Sequence, residues 1–91
     1  MNTIQETVVI DTFKEKIDYN RYDLPMIVIY NCPVDFPHKF VARLWNFQSP
    51  TQYAVISDTL HELRSKIPAP GRFHRMPRSP LDDPKIVEIY V

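Results

Sequence analysis

Proline restricts where regular structure can form in this chain. Five of the nine prolines lie in a single stretch: Pro68, Pro70, Pro77, Pro80 and Pro84. The only glycine, Gly71, lies in the same stretch. Because proline has a fixed φ and no backbone N–H, it ends helices and interrupts the hydrogen-bond ladders of sheets. The sequence therefore predicts a long loop over residues 68–84.

The segment before this loop has the clearest helical pattern in the chain. Thr59 and Glu62 match the capping box of a helix N-terminus. Leu60, Leu63 and Ile67 follow at the spacing of one helical face. The sequence therefore predicts one main helix over about 59–67.

Four apolar segments rich in β-branched and aromatic residues predict strands over residues 25–30, 39–47, 53–56 and 85–91. In the second strand, Phe40, Ala42 and Leu44 alternate with a second set and are expected to face the core. In the last strand, the expected core set is Val87, Ile89 and Val91. We predict one α+β domain over 1–91, with a small antiparallel sheet of about four strands and the helix packed on one face.

Residues 1–24 allow two interpretations. Thr7 to Ile10 can form a short strand, followed by a short helix capped by Asp11 or Thr12. Alternatively, the segment is an arm that becomes ordered against a partner, since chain ends are held only where they dock.

Composition excludes several classes of protein. Eleven basic and eleven acidic residues give a formal net charge of zero, whereas dedicated duplex-DNA binders are usually strongly basic. Cys32 is the only cysteine, so there is no internal disulfide and no cysteine-based zinc site. The N-terminus lacks a signal-peptide layout, and the apolar run 26–30 is too short to span a bilayer. We expect a cytoplasmic location.

The catalytic candidates are weak. Cys32, Asp35 and His38 are close in sequence, but a thiol nucleophile needs a base and an orienting group arranged in space, and no glycine nearby offers a backbone oxyanion pocket. Adjacent Asp82 and Asp83 point to opposite sides of an extended chain. One glycine cannot form either common phosphate-binding glycine motif. We therefore expect a protein that is not an enzyme and that has no cofactor.

A metal site is also not expected from the sequence. Five side chains are conceivable ligands: His38, His61, His74, Asp82 and Asp83. They lack the signature spacings of metal sites, because the residue four positions after His61 is Ser65 and not a second histidine.

Basic side chains without acidic neighbours mark the predicted loop as a binding candidate. Its candidate residues are Arg72, Phe73, Arg75 and Arg78. Arginine suits phosphate and carboxylate groups, and an adjacent aromatic ring can stack on a base. Three interpretations remain open: a structural loop with Phe73 and Met76 in the core, a contact with an acidic protein, and a phosphate or nucleic-acid site.

The second candidate surface lies on strand 39–47, on the face opposite the predicted core. Its residues are Arg43, Trp45 and Phe47, with Val41 on the same face. This set is too apolar for a solvated surface, and exposed aromatic residues beside arginine are typical interface anchors. Either the N-terminal segment or another molecule is expected to cover it.

Two stretches, YNCPVDFPHKFVARLWN (30–46) and MPRSPLDDPKIVEIYV (76–91), together resemble short uncharacterised proteins of Gram-positive bacteria and of their phages or mobile elements. The resemblance implies a cytosolic accessory protein, with modulation of a host or phage complex as one role. It implies no catalytic residues.

The leading functional hypothesis is a non-enzymatic protein–protein interaction or modulator module, with a homodimer among its forms. The alternative is a phosphate- or nucleic-acid-binding domain that uses the loop from Arg72 to Arg78. A small thiol enzyme centred on Cys32 is a third hypothesis. No membrane partner is expected.

Overall fold

Six strands of the described chain form one mixed sheet. The computed structural model describes residues 7–15 and 17–91. The elements are strand β1 (Val8–Val9), a 3-10 turn (Tyr19–Arg21), β2 (Pro25–Asn31), β3 (Phe40–Asn46), β4 (Ser49–Ser57), helix α1 (Leu60–Arg64), β5 (Arg75–Pro77) and β6 (Ile86–Tyr90). Across the sheet the strand order is β1-β4-β3-β2-β6-β5. The β1–β4 pair is parallel, and the other pairs are antiparallel.

The predicted architecture, an antiparallel sheet of about four strands with a main helix over 59–67, is wrong. The sheet gains a strand at each edge, and the parallel pairing of β1 makes it mixed. Strand β5 forms inside the predicted loop 68–84, where Pro77 is tolerated because β5 is an edge strand. The protein is therefore mostly sheet.

Helix α1 is shorter than the sequence predicts, although its start is correct. The Thr59 hydroxyl accepts a hydrogen bond from the Glu62 N–H at 3.1 Å, so Thr59 caps the helix as expected. After Arg64 the backbone tightens, because Lys66 N–H donates to the Leu63 carbonyl and Ile67 N–H to the Arg64 carbonyl. These bonds span three residues and not four, so residues 65–67 form turns.

The core lies between α1 and one face of the sheet. The sheet contributes Ile27, Ile29, Ala42, Leu44, Val55 and Tyr90, and the opposing side contributes Phe13, Leu63, Ile67 and Phe73. The predicted inward set of the second strand is confirmed, because Ala42 and Leu44 are fully buried and Phe40 packs against the cluster.

The N-terminal segment packs on this same side of the sheet. The Phe13 ring is fully buried, and its N–H donates to the Lys66 carbonyl at 2.9 Å. Ile10, Ile17 and Tyr22 pack against the core cluster as well. The short strand expected near Thr7 to Ile10 is present as β1, whereas no helix follows it among the described residues. These side chains therefore do not cover the opposite face, on which Trp45 lies.

Strand β6 departs from its predicted facing. Glu88 and Tyr90 are buried and pair with Ile29 and Ile27 on the core side, whereas Ile89 pairs with Val28 on the opposite face. The expectation that Ile89 and Val91 face the core is wrong. A carboxylate takes a core-side position here because Arg64 neutralises it, as described below.

Candidate interaction surfaces

A two-residue turn, Phe47–Gln48, joins β3 to β4. Asn46 pairs with Ser49 across the hairpin, so only these two residues form its tip. Phe47 has a φ of +55° and is 58% exposed. The left-handed region costs an L-residue about 1–2 kcal/mol, and glycine or asparagine is the usual occupant. An exposed phenylalanine in this conformation therefore does little for the fold.

Local hydrogen bonds fix the conformation of the hairpin. The Asn46 side chain accepts from Leu24 N–H at 3.1 Å, and Phe47 N–H donates to the Leu24 carbonyl at 2.9 Å. On the other strand, the Thr51 hydroxyl donates to the Leu44 carbonyl at 2.8 Å. The β3–β4 register shifts at this point. The shift lets Pro50 occupy a strand position, because a bulge removes the need for its N–H.

Five apolar residues lie at the turn or on the chain beside it, and we name them the hairpin-tip patch: Leu24, Met26, Trp45, Phe47 and Pro50. Arg21 borders this patch, because it lines a concavity together with Asn46, Ser49 and Pro50. Met26, Trp45 and Pro50 are neighbours across three adjacent strands. Leu24 is 46% exposed beside Phe47. Two of the three residues predicted for this surface, Trp45 and Phe47, therefore lie in one patch.

Arg43 is engaged in structural contacts. Its guanidinium donates to the Thr51 carbonyl at 3.3 Å, the Thr7 hydroxyl at 3.1 Å and the Asp35 carboxylate at 3.1 Å. Its side chain is only 15% exposed. Arg43 thus connects the start of β1 and the 32–39 loop to the middle of the sheet, and it is not presented to solvent as a free cation.

Trp45 and Tyr30 lie on the same face as Arg43. Burial raises the pKa of Tyr30, and the nearby Trp45 indole and Arg43 guanidinium partly offset this rise. The Trp45 N–H influences the phenol, but the pair does not meet hydrogen-bond geometry, so this buried N–H has no acceptor among the described residues.

Phe73 and Arg72 are separated in the structure from the other two loop candidates. The Phe73 ring is fully buried and packs edge-on against Tyr19, with ring centroids 5.1 Å apart. The Arg72 guanidinium lies over both rings, at 5.3 and 5.2 Å from their centroids. Burial raises the pKa of Tyr19 to about 12, with Arg72 opposing the shift. The Phe73 ring is therefore not accessible for stacking on a base.

Arg75 and Arg78 lie at the exposed edge of the sheet. Arg75 begins β5, and Met76 beside it is 48% exposed. The Arg78 guanidinium donates to the Asp82 backbone carbonyl at 3.2 Å. The structure therefore separates the four predicted loop residues into an inner pair, Arg72 and Phe73, and an outer pair, Arg75 and Arg78.

A buried ion pair near this edge was not predicted from the sequence. Arg64 Nε and Nη2 donate to the two carboxylate oxygens of Glu88 at 3.0 and 2.6 Å, and the Tyr90 hydroxyl donates to Glu88 Oε2 at 2.5 Å. Burial alone raises the pKa of Glu88, but the bonds from Arg64 and Tyr90 outweigh it and lower the pKa. Burial and Glu88 raise the pKa of Tyr90 to about 12.

The residues of the thiol hypothesis do not form a triad. Cys32 has a φ of +51° and its N–H donates to the Lys39 carbonyl at 2.9 Å. The Asp35 carboxylate pairs with Arg43, and no side-chain hydrogen bond among the described residues joins Cys32, Asp35 and His38.

Two further properties of the described residues concern metal binding and membrane insertion. No group of three or more His, Cys, Asp or Glu side chains is placed to hold a metal ion. Helix α1, with five residues, is far from the length needed to cross a membrane, and no other helix of this part of the chain meets that requirement.

Comparison with known proteins gives no match: no protein-family model, curated sequence or solved structure is significantly similar to this chain. The resemblance to proteins of Gram-positive bacteria and their phages therefore stays a prediction.

Proposed function

We propose that this chain is a non-enzymatic protein-interaction module that acts through the hairpin-tip patch. The observation that carries the proposal is the exposure of Phe47 at a positive φ. The two-residue turn needs a positive φ at this position, but glycine or asparagine would supply it at a lower cost than phenylalanine. Residues that carry such a cost are concentrated at functional positions. Large aromatic side chains are also the residues that most often dominate the energy of protein interfaces.

The composition of the patch favours another protein surface as its partner. None of its five residues carries a charge, so docking an apolar surface against it leaves no buried unpaired ion. Trp45, which lies near the end of β3 and two residues before Phe47, adds a second aromatic group. Beside it, Leu24 adds exposed aliphatic surface. This combination of an aromatic anchor and apolar neighbours is typical of an interface centre.

We name a second copy of the chain as the partner. In a two-fold dimer, the same patch lies on both sides of the interface. Five apolar residues can pack against their own copies, because no like charges meet among them. The net charge of zero provides no long-range repulsion between copies. Both features also favour a homodimer over partners that are selected by charge.

Sedimentation equilibrium of the intact chain tests this proposal. Phe47→Asn removes the ring and places a residue that tolerates the left-handed conformation, so we expect normal folding and at least tenfold weaker association, as for a typical hot spot. Leu81→Asn is the matched control, because Leu81 is 96% exposed in a distant loop. Its association is expected to equal that of the wild type.

Two results would contradict the proposal. One is a wild-type chain that stays monomeric at every concentration at which it is soluble. The other is equal association of the wild type and Phe47→Asn, which would place the contact on a different surface.

A further inference from the structure

A groove lined by three arginines runs beside α1, β5 and β6, and we name it the arginine groove: Arg64, Arg75 and Arg78. It comprises two concavities of about 380 and 430 Å³, both lined by Arg64 and Arg75. Each volume is within the range of small-molecule sites, about 300–1,000 Å³. The groove does not include any residue of the hairpin-tip patch, so it is a separate surface.

The buried Glu88 carboxylate holds the guanidinium of Arg64 in one orientation. Glu88 is only 5% exposed, and both of its carboxylate oxygens accept from Arg64 Nε and Nη2. The remaining nitrogen, Nη1, has no acceptor among the described residues. The Arg64 side chain is 40% exposed and lines both concavities, so its guanidinium is accessible from the groove. A preoriented guanidinium loses little freedom when it binds an anion.

The charges that line the groove do not cancel. Three guanidinium groups and one carboxylate line it, which leaves two positive charges. Glu88 is already fully engaged by Arg64 and Tyr90. Within residues 7–15 and 17–91, Arg75 makes no salt bridge at contact distance, although its charge acts on Glu88 at longer range. The Arg78 guanidinium donates a hydrogen bond to the backbone carbonyl of Asp82.

We propose that the arginine groove binds the phosphate group of a small phosphate monoester. A phosphate monoester carries about −1.5 to −2 charges at pH 7, which matches the two uncompensated positive charges. Arginine forks bind phosphate oxygens through paired, charge-assisted hydrogen bonds. The organic part of the ligand has apolar walls to contact, which are formed by Ala69, Pro70, Met76 and Val87.

Titration of the intact protein with phenyl phosphate and with inorganic phosphate, followed by amide NMR and calorimetry, tests this assignment. A titration with chloride at equal ionic strength measures the effect of charge screening alone. A titration with benzoate tests whether a carboxylate binds in the groove as well as a phosphate does. We expect saturable shifts at residues 74–78 and at the Arg64 side chain with both phosphates. Benzoate is expected to bind at least tenfold more weakly, because it carries one charge.

Two variants of equal charge localise the site. Arg75→Gln removes a lining guanidinium and is expected to weaken phenyl phosphate binding about tenfold or more. Arg72→Gln is the matched control, because Arg72 lies over Tyr19 and Phe73 and does not line the groove. Its affinity is expected to stay within about twofold of the wild type. The proposal is overturned by shifts that chloride reproduces, by equal binding of benzoate, or by equal losses in the two variants.

Discussion

Removal of Arg64 leaves the Glu88 carboxylate buried without its main partner. Arg64→Met is the suitable change, because it keeps most of the apolar stem and deletes the guanidinium. The Tyr90 hydroxyl then remains as the one side-chain donor seen on Glu88. Desolvation of the carboxylate becomes the dominant effect, so we expect the folded state to lose stability at neutral pH.

The expected magnitude lies between two limits. Breaking a fully buried ion pair costs about 3–5 kcal/mol, whereas an exposed pair contributes about 0–1 kcal/mol. Glu88 is 5% exposed, but the Arg64 side chain is 40% exposed and therefore screened by water. We expect a loss of about 2 kcal/mol, a large fraction of the roughly 5–15 kcal/mol that stabilises a domain.

The loss depends on pH, and its direction follows from the pKa of Glu88. In the wild type this pKa is lowered, so the stabilisation is complete above the ordinary glutamate value of about 4.3 and is lost as the pH falls through the lowered pKa. In Arg64→Met, burial raises the pKa instead. The carboxyl group then takes up a proton at a higher pH than in the wild type, so the stability difference between the two proteins narrows as the pH falls.

Urea denaturation at pH 7 and at pH 5 measures both effects. Arg75→Met is the control, since Arg75 is exposed and acts on Glu88 only at longer range, as the smallest of the causes that shift the pKa of Glu88. Its loss is expected to stay within about 0.5 kcal/mol. The reasoning is refuted if Arg64→Met and the control are equally stable. A difference that is the same at both pH values would refute the role of the Glu88 charge.

Three further substitutions test the fold by the same denaturation assay. Phe73→Ala should cost about 3–5 kcal/mol, because the ring is fully buried; a loss under about 1 kcal/mol would mean that the loop does not anchor the core. Thr59→Ala should cost about 1 kcal/mol through loss of the α1 cap, and no change would argue against that cap. Gly71→Ala should cost about 1–3 kcal/mol, because alanine is strained at a φ of +139°. An added Cβ meets no atom within 4 Å, so a steric clash does not contribute, and a neutral result would exclude that backbone conformation.

Local sequence signals were sufficient for part of the fold. The cap at Thr59 and the inward positions Ala42 and Leu44 were predictable because each depends on neighbours in the chain. Strand β5 and the parallel pairing of β1 were not predictable in this way, although a strand near Thr7 to Ile10 was one of the two interpretations of the N-terminal segment. β1 has two residues and pairs in parallel with a strand more than forty positions later, and β5 contains a proline. Their pairing depends on the assembled sheet and not on their own residues.

Prediction of the hairpin-tip patch and of the arginine groove from the sequence was limited in the same way. Alternation along β3 placed Phe47 on a strand face, because Phe-Gln carries none of the glycine or asparagine signals of a two-residue hairpin. Alternation also placed Glu88 outside the core, since its partner Arg64 lies on another element. Sequence periodicity describes each element alone, whereas both surfaces arise where elements meet.

Amide NMR of the wild-type chain over a dilution series tests the central claim most directly, because it reports both whether copies associate and where they touch. Our account predicts concentration-dependent shifts confined to residues 23–27 and 44–51, around the Phe47 ring. Spectra that do not change on dilution, or shifts centred on another part of the sheet, would contradict it.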